Sequence, residues 1–131
     1  MFDLANLTPS HSICEDAPVG AIRVDVSGFM DIPSLESHFR EMRMVVSRWR
    51  SQHRAIRVLV HAIDLMPHSP EGQRYVDTAN ASIYQPGDKI AVLVSSSLLK
   101  MQMRRMFNAK ELMEFFISER AAHLWLNVAV H

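Results

Sequence analysis

A chain of 131 residues with 14 Lys+Arg against 14 Asp+Glu carries no formal net charge, which removes any global electrostatic case for nucleic acid or an anionic membrane surface. At 48% hydrophobic and 21% charged residues it is too apolar for a disordered segment, and it is long enough for one self-sufficient core. The lone Cys14 excludes an internal disulfide and a thiolate metal site and suits a reducing cytoplasm, while no apolar run approaches the length of a membrane span.

Residues 1–10 are mixed in character, contain Pro9, and are expected to form a loosely held arm. They show no basic region leading into an apolar one, so no signal peptide is expected. Two short strands, about 11–15 and 21–27, flank the turn signal Asp16-Ala17-Pro18-Val19-Gly20 and read as a hairpin. In the second, Ile22, Val24 and Val26 alternate with Arg23, Asp25 and Ser27, so one face looks inward and the other is wetter. After the turn from Gly28 to Asp31, Asp31 is a cap and Pro33 suits a first helical turn. Leu35, Phe39, Met42, Val46 and Trp49 then form the inward stripe of a helix over about 33–52, with Met44 opposite. Arg40, Arg43, Arg48, Arg50, Arg54 and Arg57 cluster here; they read as a solvated face, with an anionic partner as the alternative.

Ile56 to His61 is the next strand. Ser69-Pro70-Glu71 starts a helix as N-cap, first helical residue and acid near the positive end, with Gly72, Val76, Ala79 and Ile83 inward. Gln85-Pro86-Gly87-Asp88 ends it. The run Ile90 to Val94 is a buried strand, Ser95-Ser96-Ser97 a cap, and the following helix carries Leu99, Met103, Met106 and Phe107 on one side, with Met101 among its polar residues. Leu112 to Phe116 reads as a short fifth strand, Ser118 as the cap of a last helix, and residues 127–131 as an extended tail. The order β-β-α-β-α-β-α-β-α predicts an α/β fold. It is a single mixed, mostly parallel five-stranded sheet with an antiparallel N-terminal hairpin, covered by four helices.

The hairpin ending Val26-Ser27-Gly28-Phe29, the strand Lys89 to Val94, and the ending Phe115 to Glu119 with Ala121 to Leu126 resemble the SpoIIAA-like proteins. These are relatives of the STAS domains of anti-sigma-factor antagonists and sulphate-transporter tails. The resemblance spans about residues 11–126, which makes 1–10 an arm and 127–131 a tail. It implies a non-catalytic cytoplasmic module for regulation or binding, and in distant, Sec14-like relatives a lipid-binding one. STAS antagonists are phosphorylated on a serine at the start of the helix after the third strand; Ser69 stands at that place, preceded here by His68 rather than Asp and followed by Pro70.

Ligands of open α/β sheets sit beyond the carboxyl ends of the strands. There the sequence offers His61, Asp64, His68 and Ser69 after the third strand and Ser95, Ser96 and Ser97 after the fourth. If the two strands are neighbours, helix N-termini and hydroxyls would suit a small anion; the plainer reading is capping and turn formation. His61, Asp64 and His68 match no recognised metal spacing, and no nucleophile elbow is present, so neither a metal, a cofactor nor a catalytic residue is expected. The nine methionines fill the core or line an adaptable pocket between the sheet and the Met-bearing helix. Three functions follow. The first is a STAS-like module binding a protein or small ligand. The second is a carrier of a small apolar or lipid molecule, and the third an enzyme using the His61–Ser69 loop. A homodimer is a further expectation, with Met44, Met101, Val128 and Val130 as interface residues.

Overall fold

The structure, a computed structural model, describes residues 8–16, 19–106 and 112–127. Ala17, Pro18, Phe107, Val128, Val130 and the side chain of Met106 lie outside what it describes. The strands are β1 (Ser10–Asp16), β2 (Ala21–Ser27), β3 (Arg57–His61), β4 (Lys89–Leu93) and β5 (Met113–Phe116), with period-2 alternation along β2 and near-continuous apolar runs in the central β3 and β4. Helical periodicity produces α1 (Ile32–Ser51), α2 (Pro70–Ile83), α3 (Ser97–Met106) and α4 (Glu119–Leu126). The sheet order is β1-β2-β3-β4-β5. β1 and β2 pair antiparallel, and every later pair is parallel, as the element order predicts.

A sheet that adds each parallel strand on the same side, through crossovers of one hand, places the crossover helices on one face. Accordingly α1 and α2, with Leu99 and Met103 of α3, cover the face formed by Ile22, Val24, Val58, Ile90, Val92 and Phe115. The last helix covers the other face, where Ala122 and Leu126 pack on Leu59, Ala91 and Leu93. The alternation is strict along β4: Ile90 and Val92 look towards α1–α3, Ala91 and Leu93 towards α4.

The caps are the ones the residue types dictate. Asp31 Oδ1 accepts from Ser34 N (2.9 Å), Ser69 Oγ from Gly72 N (3.0 Å), Ser96 Oγ from Leu99 N (3.1 Å) and Ser118 Oγ from Ala121 N (3.2 Å). Ser69→Ala is therefore expected to lower stability by about 1 kcal/mol in a urea titration. An Ala variant with an unchanged urea midpoint would remove the cap from the account.

The arginine cluster divides. Arg40, Arg43 and Arg48 lie on the solvent face expected of them. Arg50, Arg54 and Arg57 do not: they are half-buried and engaged. Arg50 forms two hydrogen bonds with the carboxylate of buried Asp88, Arg54 stacks 3.6 Å over the Trp49 ring, and Arg57 donates to the carbonyls of Ile56 and Gly87. These three stand where α1 ends and β3 begins, so the chain brings them against the amino-terminal end of the sheet instead of out to water.

Candidate functional site

Between α1, α2, α3 and the sheet face they cover lies a cavity of about 300 Å³. Its floor is built from alternate residues of four strands, Val24, Val60, Ile90, Val92 and Phe115 among them. Its walls are Leu35, Phe39 and Met42 of α1, Val76 of α2, and Leu99 and Met103 of α3. Met30, Met66 and Met113 complete a methionine-rich lining, and thioethers adapt to irregular shapes. Among the described residues no Asp, Glu, Lys or Arg lines the cavity. The polar groups that do are His38, His68, Gln73, Asn80, Tyr84 and Gln102.

The loop between β3 and α2 closes one end. Gly28, at φ +72°, donates from its N to the carbonyl of Asp64 (2.9 Å), and Met66 N donates to the carbonyl of Gly28 (2.9 Å). This clasp ties the loop to the carboxyl end of β2 and sets Leu65, Met66, Pro67 and His68 on the cavity. Gly72 lies against both the cap of its own helix and α1: a Cβ there would stand 3.2 Å from Ser69 Oγ, 3.4 Å from His68 Cβ and 3.5 Å from Leu35 Cδ1, tight only against the cap. Leu35 and His38 are one turn apart on α1, so His38 and His68 share the end of the cavity beyond the strand carboxyl ends.

His38 is 7% exposed, its ring edge-on to His11 (5.6 Å between centroids) and to Phe39 (4.9 Å). Burial, reinforced by His11, pushes its pKa down to about 4, so the ring is neutral near pH 7. Burial also lowers the pKa of His68, opposed by the Asp77 carboxylate. The Nδ1 atoms of both rings are sealed from solvent without a hydrogen-bond partner in the protein. Above pH 6.5 the folded and unfolded chains both hold a neutral His38, and the ring contributes no pH dependence. As pH falls from 6.5 towards about 4 the unfolded chain takes up a proton that the folded one refuses, so stability falls. The loss attributable to His38 is expected to reach roughly 2–3 kcal/mol by the bottom of that window. Comparing wild type and His38→Phe in urea at pH 7 and pH 4.5 measures it; equal acid losses in the two proteins would contradict a buried neutral ring.

Of the polar residues the sequence put forward after the third and fourth strands, His68 alone lines the cavity, while Met42, Leu99 and Met103 bear on the methionine-lined pocket it also put forward. The strands β3 and β4 are neighbours, yet their loops use their polar groups elsewhere. His61 shares the parity of Leu59, so it faces α4, where its Nε2 lies 3.3 Å from Glu119 Oε1. Asp64 is exposed and contributes its backbone carbonyl to the Gly28 clasp. Ser69 and Ser96 are caps, and Ser95 and Ser97 are exposed beside the latter. No group of three His, Cys, Asp or Glu suited to a metal occurs among the described residues. Met44 and Met101 are exposed, 64% and 54%. Sequence reasoning passed over His38, although it lies three residues after Leu35 on the inward face and that spacing marks it.

No protein-family model matches the sequence, and no curated protein matches it either. Among solved structures the chain is similar to an uncharacterised protein of the DUF3478 family, with a SpoIIAA-like fold, from Shewanella loihica PV-4. The TM-score is 0.63 at 14% identity, covering 90% of this chain and 93% of that one. The class is thereby defined: this is a SpoIIAA-like α/β fold, a mixed five-stranded sheet with four helices, as the resemblance in sequence implies. No helix among the described residues is long and apolar enough to cross a membrane.

Proposed function

We propose that this chain is a non-catalytic, STAS-like binding module of the cytoplasm whose ligand is a small apolar molecule held between the sheet and α1–α3. The cavity carries the proposal: it is lined mostly by aliphatic, aromatic and methionine side chains and bears no formal charge among its described lining. Its size sets the scale of the guest. A 150 Å³ apolar cavity accommodates benzene, so about 300 Å³ suits a molecule of about ten to twelve non-hydrogen atoms. The hydroxyls that would serve an anion site are committed to caps at Ser69 and Ser96, which favours an apolar guest over an anionic one. The cap role likewise favours a structural over a phosphorylated Ser69.

Native mass spectrometry of freshly purified protein, followed by titration with naphthalene, tests the reading. A bound small molecule or saturable naphthalene binding is expected. Val92→Phe, which fills the floor, should abolish that binding while leaving the protein at least as stable. Binding that survives Val92→Phe would place it elsewhere, and its complete absence in wild type would overturn the proposal.

A protein partner is the second reading, favoured by Leu98 and Met101. They lie one turn apart on α3, 67% and 54% exposed. A second copy of the chain is the occupant we test first. Met101→Glu should shift sedimentation towards the monomer, and a wild-type chain that is monomeric at tens of micromolar removes the dimer.

A further inference from the structure

The polar groups of the cavity are not alike. The Nδ1 atoms of His38 and His68, at the strand carboxyl ends, are sealed beyond the reach of any guest. At the opposite end α2 finishes, and there Asn80 and Tyr84 line the cavity. They stand four residues apart on α2 and its cap, so their side chains are neighbours on one face, and Tyr84 N donates to the Asn80 carbonyl (3.1 Å). Both residues are half-buried, and neither side chain has a hydrogen-bond partner in the protein. Neither is sealed. Among the described residues, the side-chain atoms closed off from solvent without a partner are all imidazole nitrogens, so the Tyr84 hydroxyl and the Asn80 amide keep surface that a guest can touch. Half-buried polar groups of this kind are met by water or by a ligand.

We propose that the guest is an uncharged, mainly apolar molecule with a carbonyl oxygen, which accepts from the Tyr84 hydroxyl and the Asn80 amide at the end of α2. This rests on the binding reading above and adds the chemistry of the guest to it. A phenol and a carboxamide N–H₂ are two donors, and a carbonyl oxygen has two lone pairs to meet them. Burial pushes the pKa of the Tyr84 hydroxyl up, with Asp88 adding to the rise and Arg50 offsetting part of it, so the group keeps its proton and stays a donor. The same surroundings count against an anionic head. No Lys or Arg among the described residues lines the cavity, and Arg50, the cation nearest in effect to Tyr84, is engaged with Asp88 at 2.6 and 3.1 Å. A carboxylate would therefore be desolvated without a counter-charge of its own. The rest of the guest lies against Ile90, Val92, Met103 and Met113, where there is nothing polar to bond.

Three probes of one size test this on the full chain near neutral pH: acetophenone, its hydrocarbon isostere α-methylstyrene, and benzoate, each titrated as a competitor of naphthalene. The quantity read is the ratio of the acetophenone and α-methylstyrene affinities within one protein, so a general change of the cavity cancels. Tyr84→Phe and Asn80→Leu are each expected to lower that ratio about tenfold from its wild-type value, the worth of one buried hydrogen bond, and benzoate is expected to be the weakest competitor. Urea titration establishes that each variant is folded. A measurement on wild type alone stands beside the variants: the infrared carbonyl stretch of bound acetophenone should lie at lower wavenumber than in cyclohexane. A ratio unchanged in both variants, a stretch at its cyclohexane position, benzoate as the tightest competitor, or α-methylstyrene binding without acetophenone binding overturns the inference and leaves the cavity reading standing. If wild type binds neither naphthalene nor any of the three, the cavity reading itself falls, and this inference with it.

Discussion

Trp49→Ala is expected to lower the stability of the protein by about 3–5 kcal/mol, read from the midpoint of a urea titration. Trp49 is among the largest fully buried side chains, and its removal leaves a void between α1 and the sheet. The indole is also held by polar contacts that alanine cannot replace. Its Nε1 donates to Glu15 Oε1 at 2.6 Å, Arg48 donates to the other carboxylate oxygen at 2.7 Å, and the Arg54 guanidinium lies over the ring. These contacts tie α1 to β1, the edge strand of the hairpin. Hydrogen bonds from Arg48 and then Trp49 hold the Glu15 carboxyl below its usual range. A depressed carboxylate stabilises the fold above its unfolded pKa, and that contribution disappears as pH falls through the folded value. Trp49→Phe separates the two effects, since it keeps most of the apolar volume and loses the N–H. A variant as stable as wild type after Trp49→Ala would show that the stripe of α1 does not face the core.

The stripe itself was readable because helical periodicity is local. Leu35, Phe39, Met42, Val46 and Trp49 are all buried, and the caps at Asp31, Ser69 and Ser118 are where the residue types put them. Parity along β3 was equally local: His61 two residues after Leu59 predicts a side chain on the α4 face, away from His68. What the chain order left open is the assignment of faces, because strand order decides which helices share a side. The cavity lay beyond sequence reasoning for a different reason. Its volume is what remains after side chains from β2 to β5 and three helices have packed, and no periodicity encodes a remainder. His38 is the intermediate case. Its position on the inward face was legible, but only the packing around it shows that the ring adjoins a cavity.

Arg50→Ala is expected to cost about 3–5 kcal/mol, because it strands a buried carboxylate. Arg50 and Asp88 are 38 residues apart in sequence, joined where the last turn of α1 meets the turn before β4. The Asp88 side chain is only 6% exposed, and its two oxygens take 3.1 and 2.6 Å hydrogen bonds from Arg50. The backbone N of Gln85 donates to the same carboxylate at 2.9 Å, and Arg50 also donates to the carbonyl of Ile83 at 3.0 Å. The side-chain hydrogen bond to Asp88 raises the pKa of the guanidinium, which is offset in part by burial. The partners are not equivalent. Arg50 is half-buried, so in Asp88→Ala its guanidinium can turn towards water, whereas Asp88 has no such route when Arg50 is removed. Arg50→Ala should therefore be the more damaging of the two. Arg50→Met with Asp88→Leu should recover most of the loss, since apolar replacement of both members removes the desolvation cost together with the pair. A double-mutant cycle in urea, with the single and paired substitutions, measures the coupling. If Arg50→Ala costs under about 1 kcal/mol, comparable to a surface ion pair, the carboxylate is not sealed as described. The turn at residues 85–88 would then hold through its backbone alone.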